Sequence, residues 1–191
     1  GPAQKMIEIL MILANTEIGT LLKNSPLPGI YRVHEESDKR KIYELLNILE
    51  ELGIHIDKNE VEKDPRIVKK IIRESQMFDS KQVDLISNLI LFTFNRAKYT
   101  TAEGIHWALN LLIYTHFTSP IRRIVDFIVH MIIDDLFELY NTDELVIREN
   151  YKPVKYEADI PKREYALMKM EIDDIAREAT RKERLYDQAE S

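Results

Sequence analysis

The sequence predicts an α+β fold, mainly helical with a few short β-strands. Three observations carry this. Apolar residues recur at helical spacing over long stretches, glycine and proline are scarce at 5 and 7 of 191 residues, and β-favouring residues gather only in short runs. With 45% hydrophobic and 31% charged residues, the balance is that of a globular chain and excludes a disordered one.

From Lys5 to Leu22, Ile7, Leu10, Met11, Ala14, Ile18 and Leu21 follow helical spacing, and "NSPLPG" at 24–29 breaks it. "IYRVH" at 30–34 alternates and suits a strand. A second helix places Ile42, Leu45, Leu46, Leu49 and Leu52 on one face, with Ser37 or Asp38 as cap and Gly53 just past its end. Asp64-Pro65 opens a third helix, through about Met77, and a fourth spans about Lys81 to Asn95 with Val83, Ile86, Leu89, Ile90 and Phe94. The stretch 97–118 is rich in aromatic and β-favouring residues around Glu103-Gly104, and it reads as a hairpin, with a helical middle as the alternative. A helix from Pro120 to about Tyr140, a loop through "NYKPVKYEADIP" and a last helix from Lys162 to Glu190 complete the chain.

Several function classes fall away on composition. There are no cysteines, which removes disulfides and thiolate metal sites. No apolar run approaches the roughly 20 residues that span a bilayer, and no signal peptide is visible, so no membrane partner is expected and the expected location is intracellular, in cytoplasm or nucleus. A net charge of −6 and a pI near 5.5 argue against a generic nucleic-acid coat protein. Any RNA contact must therefore be concentrated. His34, His55, His106, His116 and His130 lack close metal-ligand spacing and read as packing or hydrogen-bonding residues.

One stretch, "YTHFTSPIRRIVDFIVH" at 114–130, poses an electrostatic problem. Ser119-Pro120 reads as an N-cap followed by proline at the first helical position. On that register Arg122 and Arg123 occupy the first turn, where cations oppose the helix dipole. An anion held by backbone N–H groups, a hydroxyl and a guanidinium would resolve it, as helix starts do with phosphate. So would an ion pair of either arginine with Asp126, three or four residues on.

That stretch, with "MILAN" at 11–15, "IYRVHEESDKRKIYELLNILEELGI" at 30–54 and "AKYTTAEGIHWAL" at 97–109, resembles the catalytic RNB domain of the RNase II family, the processive 3′ to 5′ exoribonucleases. Four blocks stand in the family's order. The resemblance implies that residues 3–191 form the C-terminal part of an RNB domain, and Gly1-Pro2 reads as a tag remnant. It assigns Arg122 to the scissile phosphate region as the catalytic residue. It assigns Thr118, Ser119, Arg123 and His116 to the RNA backbone, and Glu190 of the last helix to the terminal nucleotides.

The same resemblance implies magnesium for a complete active domain, held by an aspartate cluster of the form D-x-x-x-x-x-D-x-D-D. No such cluster precedes Met11, and "EIDDIA" at 171–176 reads as a solvated helix face, so no metal is expected on this chain alone and it is expected to be inactive by itself. The implied partners are single-stranded RNA, the missing upstream half of the domain or a companion chain, and an RNA-decay complex. The alternative is a nuclease-inactive RNB-like module that binds RNA or protein.

Overall fold

The structure is a computed structural model. It describes all residues except 35–37, 62–65, 95, 107–108, 110 and 191, with the backbone alone for Glu60, Arg66 and Glu190. The element order is α1 (Pro2–Lys23), β1 (Tyr31–His34), α2 (Lys39–Glu51), α3 (Lys58–Val61), α4 (Arg66–Ser75), α5 (Ser80–Thr93), β2 (Ala97–Thr100), α6 (Ile124–Leu139), β3 (Arg148–Glu149), β4 (Lys152–Pro153) and α7 (Lys162–Glu190). A mainly helical α+β fold is what the sequence predicts. The chain divides into two compact units: residues 1–32, 98–104 and 113–191, and residues 33–97 and 105–112.

The second unit is a small helical assembly whose core follows the sequence periods. Ile42, Leu45, Leu46 and Leu49 of α2 are buried with Ile67 and Ile71 of α4 and Ile86 and Ile90 of α5. The Asp38 carboxylate caps α2 by accepting the Arg40 N–H at 2.9 Å. At the other end Gly53 sits at φ +84°. There the Gly53 N–H donates to the Glu50 carbonyl at 2.9 Å and the Ile54 N–H to the Leu49 carbonyl at 2.8 Å. This is a Schellman cap, and Ile54 joins Leu49 in the core. The Asp79 and Gln82 side chains cap α5 reciprocally, which starts that helix at Ser80, one residue before the expected Lys81. Asp64-Pro65 and Ser37 lie outside the described residues.

In the first unit α6 buries Val125, Val129, Ile132 and Leu136, one face at helical spacing, and α7 packs on it, burying Ile172 and Ala176. The C-terminal half of α1 is buried from Gly19 to Leu22. Its N-terminal half exposes Met6, Ile7, Ile9, Leu10 and Leu13, each 55–59% accessible. The loop expected at 150–161 begins with a small hairpin: β3 and β4 pair antiparallel, with Arg148 opposite Pro153 and Glu149 opposite Lys152. Asn150 and Tyr151 between them both have positive φ, 49° and 65°, as a two-residue hairpin turn requires.

The hairpin expected over 97–118 does not form among the described residues. Strand β2 pairs with β1 in a two-stranded sheet, and residues 105–118 contribute only an isolated bridge, His106 with Leu111. The reason is competition for hydrogen bonds. The Arg32 N–H of β1 donates to the Tyr114 carbonyl at 2.8 Å, and the His34 N–H to the Ile105 carbonyl at 3.0 Å. Those carbonyls are thereby engaged with β1 and not with β2.

Because Gly53 is left-handed in open space, Gly53→Ala is expected to cost about 1 kcal/mol of unfolding free energy and Gly53→Asn less. Denaturant melts monitored by circular dichroism check the order.

Candidate functional site: a locked turn before helix α6

The Ser119-Pro120 pair does not start a helix. Ser119 begins a tight turn in which its carbonyl accepts the N–H groups of Arg122 at 3.3 Å and Arg123 at 3.1 Å. Serine at the first and proline at the second position suit such a turn as well as they suit a helix start. Arg123 is extended, at φ −126° and ψ 123°, and is the N-cap of α6. The two arginines therefore precede the first helical turn, and the residue within it is Asp126. That removes the expected conflict with the dipole, since a carboxylate belongs at a helix start.

Asp126 is fully buried. Its carboxylate accepts the Ser119 N–H at 2.8 Å and takes both arms of the Arg123 fork, Nε at 2.8 Å and Nη2 at 3.0 Å. Of the two ion pairs the sequence admits, only the one at three residues forms. Arg122 stays exposed, its Nη2 3.4 Å from Ser119 Oγ, and among the described residues it has no acidic partner.

The preceding residues are held by further side chains. The Phe117 N–H donates to Asn15 Oδ1 at 2.8 Å, and the Phe117 carbonyl lies 2.9 Å from His130 Nε2. The Phe117 ring stacks on His130 with centroids 4.1 Å apart. His116 Nδ1 shares a 2.7 Å hydrogen bond with the Tyr99 hydroxyl. Thr118 Oγ1 is buried and, among the described residues, has no hydrogen-bond partner.

Tyr99 links this turn to a second ion pair. The Arg32 guanidinium lies over its ring at 4.5 Å and pairs with Glu183 of α7 at 2.5 Å. Burial pushes the Tyr99 hydroxyl up to about 12, with Arg32 and Arg123 pulling it down and Glu183 and Asp126 pushing it up. The sequence reading missed Asn15, Tyr99, Arg32 and Glu183, which carry no local motif of their own. The "MILAN", "IYRVHEESDKRKIYELLNILEELGI" and "AKYTTAEGIHWAL" blocks, which contain Asn15, Arg32 and Tyr99, hinted at three of them, and nothing pointed to Glu183. The Glu190 side chain lies outside the described residues. Asp173 accepts from Thr101 Oγ1 at 2.5 Å and Asp174 from Arg177 at 2.7 Å. Among the described residues no three histidine or acidic side chains converge on a point that could hold a metal ion, so the residues present do not fit a metal centre. Nor is any helix among them long and apolar enough to cross a membrane.

A turn built on S-P-x-R-R, locked by a buried aspartate at the head of a helix, stands in a mainly helical chain with short two-stranded sheets. The RNB domain model matches residues 1–138, and the chain belongs to the RNB domain family. It is 33% identical to ribonuclease R of Thermotoga maritima over 192 residues, covering all of this chain and 24% of that one. It is 40% identical to ribonuclease R of Aquifex aeolicus over 132 residues, or 69% of this chain and 18% of that one. The structure of Mycoplasma genitalium RNase R in complex with double-stranded RNA aligns with a TM-score of 0.66 at 25% identity, covering 96% of this chain and 29% of that one. Yeast Ssd1, a pseudonuclease, shares the fold at a TM-score of 0.55 and 21% identity, over 91% of this chain and 20% of that one. The chain thus spans about a quarter or less of the curated relatives it matches, 24% and 18% for the two named.

Two outcomes follow from this geometry. Arg123→Ala strands a buried carboxylate and is expected to lower unfolding free energy by about 3 kcal/mol, whereas Arg122→Ala should change it by less than about 0.5 kcal/mol; urea melts of both variants decide it. Because the folded Tyr99 pKa is raised above the unfolded value of about 10, its contribution to stability is present below pH ~10 and is lost as pH rises towards 12. Spectrophotometric titration of tyrosinate should show late-ionising residues, Tyr31 among them through burial, and one fewer of them in Tyr99→Phe.

Proposed function

We propose that this chain supplies the phosphate-binding side of a processive 3′ to 5′ exoribonuclease acting on single-stranded RNA. The observation that carries it is the contrast within the arginine pair: Arg123 is consumed by Asp126, and Arg122 is presented outward on the same rigid turn without an acidic partner among the described residues. A planar guanidinium on a fixed turn can make two bonds to one phosphate. Ser119 and the orphaned Thr118 hydroxyl lie beside it in sequence and complete the RNA contact. Arg123 serves by holding the turn, His116 by flanking it, and Glu190 is assigned to the terminal nucleotides by resemblance alone. The relatives named ribonuclease R and the RNA-bound Mycoplasma genitalium structure support the reading.

Catalysis is assigned to a larger assembly. The carboxylates that would hold magnesium are placed in further polypeptide, either an upstream half of the domain or a companion chain. The apolar face of α1, exposed from Met6 to Leu13, supports such a cover. Membership in an RNA-decay complex is compatible with that assembly.

The test is a pair of measurements on the chain as it stands. A labelled single-stranded oligoribonucleotide should bind, more weakly as salt rises, and Arg122→Lys should lose about threefold to tenfold in affinity with an unchanged melting temperature. Incubation with magnesium should leave the RNA intact. Binding that is indifferent to Arg122 removes the phosphate assignment, and magnesium-dependent degradation that Arg122→Ala abolishes removes the need for further polypeptide. If the complete assembly binds RNA without cleaving it, the chain is instead part of a nuclease-inactive binding module.

A further inference from the structure

We propose that Asn15 is a positioning residue for the phosphate-binding turn, acting through the Phe117 amide from helix α1. The inference rests on the RNA-binding reading of that turn. Asparagine in mid-helix is locally unfavourable, because its side chain competes with the backbone for hydrogen bonds. Asn15 is nevertheless 3% exposed. A buried amide is costly unless both its polar atoms are satisfied, and an apolar side chain of the same size would fill the space without that requirement.

Both atoms are in fact used, and their orientation is determined by chemistry. The Phe117 N–H can only donate, so Asn15 Oδ1 faces it at 2.8 Å. Asn15 Nδ2 is left to donate to the Tyr114 hydroxyl at 3.0 Å. The neighbouring hydroxyl residues of α1 behave differently: Thr16 and Thr20 donate to carbonyls one turn back in their own helix. Asn15 alone of these three spends its hydrogen bonds on a segment about a hundred residues away in sequence, at separations of 99 and 102.

Gly19, one turn further along the same face, permits the approach. A Cβ there would stand 3.4 Å from the Thr115 nitrogen, so the α1 backbone lies against residues 113–115 with no room for a large side chain. With Asn15 on its N–H and His130 on its carbonyl, Phe117 has both backbone groups held by side chains from α1 and α6. The next two residues are Thr118 and Ser119, whose hydroxyls the functional reading places on phosphate. Asn15 thus sets the entry to the turn as Asp126 sets its exit.

Two substitutions separate positioning from mere stability. Asn15→Leu and Tyr114→Phe each break the buried amide–hydroxyl bond, but only Asn15→Leu strands the Phe117 N–H. Both should lower the melting temperature. At a temperature where all proteins are folded, only Asn15→Leu should speed hydrogen exchange at the Phe117 amide and weaken binding of the labelled oligoribonucleotide, each by about tenfold. Tyr114→Phe should stay within about twofold of wild type in both. If Asn15→Leu does not fold, Asn15→Ser, too short to reach Phe117, should give the same pattern. Equal losses in the Asn15 and Tyr114 variants, or unimpaired exchange and binding in the Asn15 variant, overturn the inference. Failure of the wild-type protein to bind RNA overturns the functional reading instead, and exchange at Phe117 then still decides whether Asn15 holds the turn.

Discussion

The site is organised by a carboxylate that water does not reach. Asp126 has no accessible surface, and an ion in that position must be neutralised and hydrogen-bonded or the fold cannot keep it. Its partners are the Ser119 N–H, the Arg123 fork and the start of α6 itself. Meeting those demands bends residues 119–123 back onto the helix that follows them. The apex of the bend has nowhere to go but outward: Ile121 is 100% exposed and Arg122 is exposed beside it. The solvent position of Arg122 is therefore a consequence of where Asp126 is buried.

The residues before the turn obey the same accounting. Backbone polar groups removed from water need partners: the Tyr114 carbonyl finds Arg32 of β1, and the Phe117 N–H and carbonyl find the side chains of Asn15 and His130. Tyr99 and His116 join this arrangement to the Arg32–Glu183 pair, so acidic and basic groups alternate from α7 to the turn. Among the described residues the buried Thr118 hydroxyl is an exception, as is Arg32 Nη1, each without a hydrogen-bond partner.

The parts of the fold legible in the sequence are those governed by local rules. Period 3.6 located α1, α2, α5 and α7, and a cap residue with Gly53 bounded α2 to within a residue, because burial of one face and satisfaction of helix ends are decided by neighbours in the chain. Of the three misreadings, those at 97–118 and at Ser119-Pro120 share a cause, a partner distant in the chain. Residues 97–118 have strand-like composition, yet the partner that engages Tyr114 and Ile105 is β1, some 70 to 80 residues earlier in the chain, and composition carries no information about partners. The β3–β4 hairpin escaped notice because Asn150-Tyr151 lacks the glycine that usually marks such a turn. Ser119-Pro120 satisfies the rules for a helix start and for a tight turn alike, and the choice is made by Asp126, seven residues beyond Ser119.

The arginine pair shows how two identical neighbours come to do different work. Either could reach Asp126 on a continuous helix, so spacing alone leaves the ion pair open to both. The turn breaks it. With Arg123 extended at the N-cap, its fork meets the carboxylate squarely, and with Arg122 one residue earlier at the close of the tight turn, its side chain leaves on the other side. Arg123 uses the planar guanidinium to bind a buried carboxylate with two nitrogens, and the role proposed for Arg122 would use the same fork on an anion. In a chain of net charge −6 a diffuse basic surface is not available to attract RNA. The proposed phosphate contact rests on a cation with no acidic partner among the described residues, on a turn held by Asp126 at its exit and by Asn15 and His130 at its entry.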